Sequence, residues 1–91
     1  MNELQYPMLH PMEGKKVVLI APYGFIYIGI FHEEKGYGCR LDEAFNIRYW
    51  AARPHGLPQL AQEGVINDDK IDAVSTVYLS NYIALYPALY G

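Results

Sequence analysis

The sequence predicts a mainly β domain: a small five-stranded antiparallel barrel with one short helix and an extended N-terminal arm. Three observations lead there. Short β-branched and aromatic runs alternate with Gly/Pro turns along the chain. A glycine, Gly29, sits inside one of those runs, where a small barrel needs a corner. Only "LPQLAQEG" carries a helix signal, with Pro58 early and Gly64 as its stop.

Each element follows from local chemistry. "MNELQYPMLHPMEG", residues 1–14, reads as an arm whose Tyr6, Met8, Leu9 and Met12 lie on the body or on a neighbouring subunit. The domain proper is residues 15–91. "KKVVLIA" is apolar and β-branched, a buried strand from Lys15 to Ala21. Pro22, Tyr23 and Gly24 make a turn, and "FIYIGIFH" is a second strand bent at Gly29. After the polar connection "EEKGYG", "YGCRLDEA" sets Cys39 and Leu41 on one face and Arg40 and Asp42 on the other. Residues 46–52 alternate as extended chain until Pro54 ends any continuation. One or two helical turns follow over Pro58–Glu63, and "INDDKID" reads as a solvated loop. "AVSTVYLS" and "YIALYP" are two strands expected to close a hairpin at Ser80 and Asn81. A chain with a bent second strand, a hairpin and a closing pair of strands has the pattern of an SH3-like or Sm-like barrel.

Composition narrows the function. The chain is 91 residues long, 52% hydrophobic, with nine tyrosines, so it is a single folded domain with rings to spare. A net charge of −3 argues against general nucleic-acid binding, which needs a basic excess, and leaves room only for a local basic pocket. The apolar run from Val17 to Phe31 is broken by Pro22 and Gly24, too short and too interrupted for a membrane span. The N-terminus lacks a charged region followed by an apolar one, so no signal peptide is expected. With Cys39 as the single cysteine, no intrachain disulfide and no cysteine cage for zinc can form.

Catalytic and metal chemistry have weak support. Cys39 lies in strand register with Leu41, and a small buried thiol explains it better than a nucleophile paired with His32 or His55. Asp42 and Glu43 are adjacent in a strand, so they cannot converge on one bond. His10, His32 and His55 have no helical i, i+4 spacing, and "NDDKID" lacks the central glycine and downstream glutamate of a calcium loop. No phosphate loop is present, since "GKK" has no upstream glycine. Neither an enzymatic role nor a cofactor is expected.

Two features remain. Arg48 and Trp50 share one side of an extended segment, and Arg53 and His55 follow past its bend. With Tyr23 they suit a ligand carrying both phosphate and base, the guanidinium forking onto one and the ring stacking on the other. The plainer alternative has Trp50 capping the core, with Arg48 stacked on it and paired to Asp42 or Glu43. Tyr78, Tyr82 and Tyr86, with Tyr90, exceed what so small a body can bury, and self-association through the terminal strands is the expectation.

With those residues in view, the chain resembles a family of small phage and prophage proteins of uncharacterised function over about Lys16–Pro87. The likeness rests on "VVLIAPYGFIYIGIF", "LDEAFNIRYW", "LPQLAQEG" and "VSTVYLSNYIALYP". Its specific part is "A-x-N-I-R-Y-W" followed by "L-x-x-L-A-x-x-G". Family members tend to carry two consecutive basic residues ahead of the tryptophan; here Arg48 is followed by Tyr49, which weakens the case for a strongly anionic ligand. The resemblance implies a viral accessory protein of the host cytoplasm, a setting in which small proteins often counter host defence. Two expectations follow. One is a homo-oligomer that sequesters a nucleotide-derived immune signal at Arg48, Trp50, Arg53, His55 and Tyr23. The other is a protein–protein inhibitor of a host defence protein, or a structural accessory factor, acting through its tyrosine-rich surface.

Overall fold

Val17, Val18 and Leu19 are successive apolar residues, so their side chains point alternately to both sides of strand β1 (Lys16–Ile20) and demand cover on each. All three are fully buried. The computed structural model describes residues 10–34, 38–52, 55–66 and 69–90. In it β1 is followed by a 3₁₀ turn, Pro22–Gly24, then β2 (Ile26–Glu34), β3 (Gly38–Tyr49), helix α1 (Gly56–Glu63), β4 (Lys70–Leu79) and β5 (Ala84–Pro87). The strands form one antiparallel five-stranded sheet in the order β4-β3-β2-β1-β5.

Side-chain alternation divides the interior in two. On one side Val17, Leu19, Phe31, Cys39, Leu41 and Ala44 make an inner core, with Val77 and Leu79 of β4 and Leu85 of β5 packed against it. Residues from both outer strands thus meet on one cluster, so the sheet is curved around it. On the other side Val18, Ile26, Ile28 and Ile47 pack beneath Leu60 and Ala61 of α1. The helix stops where expected: Gly64 takes a left-handed φ of 89° and its N–H donates to the Leu60 carbonyl at 2.7 Å.

The bend at Gly29 is present, and its cause is close approach. The β2–β3 register shifts between Ile28 and Ile30, and a Cβ at Gly29 would lie 3.0 Å from the Leu41 Cβ. β3 is longer than its two sequence segments suggest, because one continuous strand carries both past an irregularity at Glu43, φ 51°.

Three expectations need correction. β4 and β5 are not a hairpin: β4 pairs with β3, β5 pairs with β1, and residues 80–83 carry the chain across to the opposite edge. The Ile83 N–H donates to the Ile20 carbonyl at 2.8 Å, which fixes that crossing. The physical reason is that Leu85 and Tyr86 each serve a different core, and the free edge of the doubly buried β1 offers both. The sheet is also open: among the described residues no pairing joins β4 to β5, so a closed barrel is not formed by these bonds. Finally, the described part of the arm is turned, not extended. Glu13 and Lys15 N–H groups bond to the His10 and Met12 carbonyls, and the His10 ring packs 4.6 Å from Phe31. Tyr6, Met8 and Leu9 lie outside the described residues.

Candidate functional site

Helix α1 covers only part of the face it packs on. Beyond Ile28 that face continues through Ile30, Phe45, Ile71 and Ala73, walled by Val65 and Tyr90, as an open groove of about 690 Å³. Its size falls in the usual range for a binding cavity, and its lining is predominantly apolar. Phe45, Val65, Ile71 and Val74 each keep more than a third of their surface exposed there. Polar groups sit at the margins: Lys16, Glu43 and Ser75. The Lys16 Nζ lies 4.9 Å over the ring of Tyr90, and burial raises the Tyr90 phenol pKa, keeping it neutral.

Glycine and strained backbone shape this groove. Tyr90 can lie against α1 because a Cβ at Gly64 would meet its ring at 3.0 Å. Glu43 and Ser75 hold φ values of 51° and 68°, left-handed conformations that cost most non-glycine residues free energy. Ser75 pairs with Ala44, next to Glu43, so both strained residues flank the same stretch of groove. They break the β3–β4 register and turn Ile71 and Ala73 toward the groove while Val77 and Leu79 face the inner core.

The Arg48–Trp50 corner is arranged differently from a pocket. Arg48 reaches across to Asp72, its Nε donating at 2.9 Å and the second nitrogen at 3.5 Å. Its partner is therefore neither Asp42 nor Glu43. Trp50 is half-buried against the helix-side core, so the two residues serve different neighbours. His55 is exposed at the start of α1, where its backbone N–H donates to the Gln59 side chain at 3.0 Å. Arg53 lies outside the described residues. Tyr23 is 97% exposed on the 3₁₀ turn with φ 66°. Register places it at the same end of the sheet as Arg48, since Ile26 pairs with Ile47.

The tyrosines divide as well. Tyr82 is half-buried on the inner core, edge-on to Phe31 at 6.1 Å, and Tyr86 is half-buried on the helix-side core. Tyr78 is exposed on β4.

One cluster escaped the sequence reading. His32 Nδ1 lies 2.6 Å from the Glu13 carboxylate, and its Nε2 lies 3.3 Å from Asp42. Arg40 binds Asp42 at 3.0 Å and Glu34 at 2.9 Å. Glu13 also accepts the Glu33 N–H at 2.8 Å, and that bond, then His32, lowers the Glu13 carboxyl pKa. The signal was available: residues 32, 40 and 42 alternate on two neighbouring strands, but the partner Glu13 comes from the arm. Cys39 is buried, and desolvation, with Glu34 nearby, pushes its thiol up to about 11. Asp69 is the other surprise, a buried carboxylate accepting the Ala51 and Ile66 N–H groups at 2.8 Å each. Part of the supposed solvated loop is therefore a backbone clamp. Among the described residues no group of three His, Cys, Asp or Glu side chains has the geometry to hold a metal, and no helix is long and apolar enough to cross a membrane.

No family model, curated protein or solved structure matches this chain. The geometry of the groove and its margins carries the functional argument.

Proposed function

We propose that the protein is a non-enzymatic accessory factor of viral origin that works by binding protein along the groove of β2, β3 and β4. The sheet itself we read as an SH3-like or Sm-like barrel left open between β4 and β5. The observation that carries the functional reading is the pairing of a large apolar groove with an outer strand, β4, whose far edge has no partner strand among the described residues. Apolar lining with polar margins is the anatomy of a protein contact, and an open strand adds main-chain hydrogen bonds to it. An inhibitor of a host defence protein in the host cytoplasm fits that anatomy.

Sequestration of a nucleotide-derived signal at Arg48, Trp50, Arg53, His55 and Tyr23 has less support. Its anion would have to displace Asp72 from the Arg48 guanidinium, and Trp50 is engaged with the core instead of standing free to stack.

The test has two arms. Thermal unfolding with cyclic dinucleotides, cyclic trinucleotides and ADP-ribose should show no stabilisation, because a ligand that binds only the folded state raises its Tm. Candidate partner proteins, once purified, should bind the wild-type chain and its Arg48→Ala variant alike, and lose binding to Ile71→Glu. A nucleotide-induced rise in Tm that vanishes in Arg48→Ala would overturn the reading.

A further inference from the structure

We propose that the groove and the outer edge of β4 hold a second copy of this chain, the two β4 strands lying antiparallel across a two-fold axis. The inference rests on the reading of the groove as a protein-contact surface and names its occupant.

The two edges of the sheet differ in how they are protected. β5 is four residues long and closes with Pro87, which has no N–H to offer a neighbour. β4 is ten residues long, contains no proline, and is exposed at every position from Lys70 to Thr76. Isolated edges are normally shielded by inward charges, lysines, prolines, or a covering loop or helix. β4 has Lys70 at its very end and a single carboxylate, Asp72, already neutralised by Arg48. Among the described residues its shielding beyond Lys70 is the left-handed Ser75, which twists the edge at mid-strand. The rest is Ile71, Ala73, Val74, Thr76, Val77, Tyr78 and Leu79, a composition suited to pairing.

Charge selects the occupant. Among the described residues the groove's margin carries one cation, Lys16, and one anion, Glu43, and β4 carries one of each sign. Those described charges balance, so they offer a strongly charged partner no excess of the opposite sign. A second copy brings the same neutral strand, and in a two-fold antiparallel pairing like charges meet only if the axis falls on Lys70 or Asp72 itself. The contact is also continuous with the groove. A strand added outside β4 extends the sheet over Ile71 and Val74, covering apolar surface that the single chain leaves wet.

Sedimentation equilibrium over a concentration series tests this, using the full chain and two charge variants, Val74→Lys and Val74→Glu. Circular dichroism checks that each is folded. The wild type should sediment at twice the chain mass and dissociate on dilution. With the two-fold axis at the middle of β4, beside Val74, each variant alone should dimerise at least about tenfold more weakly, because identical charges then face each other across it. An equimolar mixture of the two should regain the dimer, as a symmetric contact that brings the two Val74 positions together requires. A wild type at single-chain mass throughout would overturn the inference. So would a dimer indifferent to both substitutions, which would place self-association elsewhere. If the wild type is monomeric and Ile71→Glu still abolishes binding of another protein, the second copy is wrong and the groove reading stands. If the groove instead accommodates residues 1–9 of the same chain's arm, the wild type again remains at single-chain mass, and the inference fails.

Discussion

β1 and β4 are strands of one sheet with opposite relations to solvent. The first has Val17, Val18 and Leu19 fully buried, between the inner core on one side and α1 with its supporting residues on the other. The second is exposed over Lys70–Thr76 on both faces and re-enters the interior only at Val77 and Leu79. The fold covers the apolar residues of the first on both faces and leaves those of the second under-covered. In a domain this small that difference separates the residues that specify folding from those available for contact. Substitutions in the two strands should therefore report on different properties.

The largest effect is expected in β1. Leu19→Ala deletes a fully buried side chain from the inner core and should destabilise by about 2–5 kcal/mol, the range for such truncations. Urea unfolding measures it. Total stability for a domain is about 5–15 kcal/mol, so a small chain sits near the lower end and the variant should be close to unfolded. A loss under about 1 kcal/mol would mean that the inner core collapses around the gap, and the contrast between the strands would shrink.

A smaller loss is expected where β3 meets the far end of β4. Gly38 has φ 97°, and a Cβ there would run into the Leu79 and Ser80 carbonyls. Gly38→Ala should cost about 1–3 kcal/mol through backbone strain and overpacking, read as a drop in Tm. Because Cys39 pairs with Leu79, the damage should spread into the half of β4 that is packed while sparing Lys70–Thr76. Hydrogen exchange by residue would resolve that boundary, and uniform loss of protection along β4 would erase it.

Much of the fold was legible because its causes are local. Strand β1, the bend at Gly29, the Gly64 stop and the burial of Cys39 follow from residue type and period alone. The closing hairpin failed because Ser80 and Asn81 suit a tight turn locally, while the non-local demand for cover beside β1 sends β5 to the other edge. The site was less legible for the same reason. Arg48 and Trp50 sit two residues apart, but Asp72 and the core beneath α1 decide what each one does. The groove has no sequence motif; it arises where two register irregularities, at Glu43 and Ser75, fall beside each other on neighbouring strands. Tyr82 and Tyr86 looked surplus by count, yet each fills the margin of a different core.

The arm offers a gentler comparison, between contacts made by charge and those made by packing. Glu13 accepts the Glu33 N–H and faces His32, and both hold its carboxyl pKa below the ordinary value. A group whose folded pKa is depressed stabilises the fold above its unfolded pKa, about 4.3 for a glutamate, and loses that contribution as pH falls through the folded value. The wild type should therefore lose stability in that acid window more steeply than Glu13→Gln, which has no such carboxyl to titrate. At neutral pH the substitution should cost below about 1 kcal/mol, the scale of a partly exposed polar contact. Thermal unfolding of both chains across the window measures the difference. Parallel curves would assign the acid sensitivity to other carboxylates and leave packing of Met12 and His10 as the arm's anchor.

The smallest effect is predicted for β4, and it is the sharpest test of the contrast. Val74→Lys, studied at dilution low enough that single chains predominate, should change the unfolding free energy by no more than about 0.5 kcal/mol, as surface substitutions usually do. The reason is geometric: Val74 keeps 38% of its surface exposed, and a lysine stem can lie along the groove margin with its ammonium in water. A tolerant β4 beside an intolerant β1 means that the apolar character of this edge is not required for the fold of the single chain. A loss approaching that of Leu19→Ala would instead make β4 part of the folding core, and its exposed valine and isoleucine would no longer call for a partner to explain them.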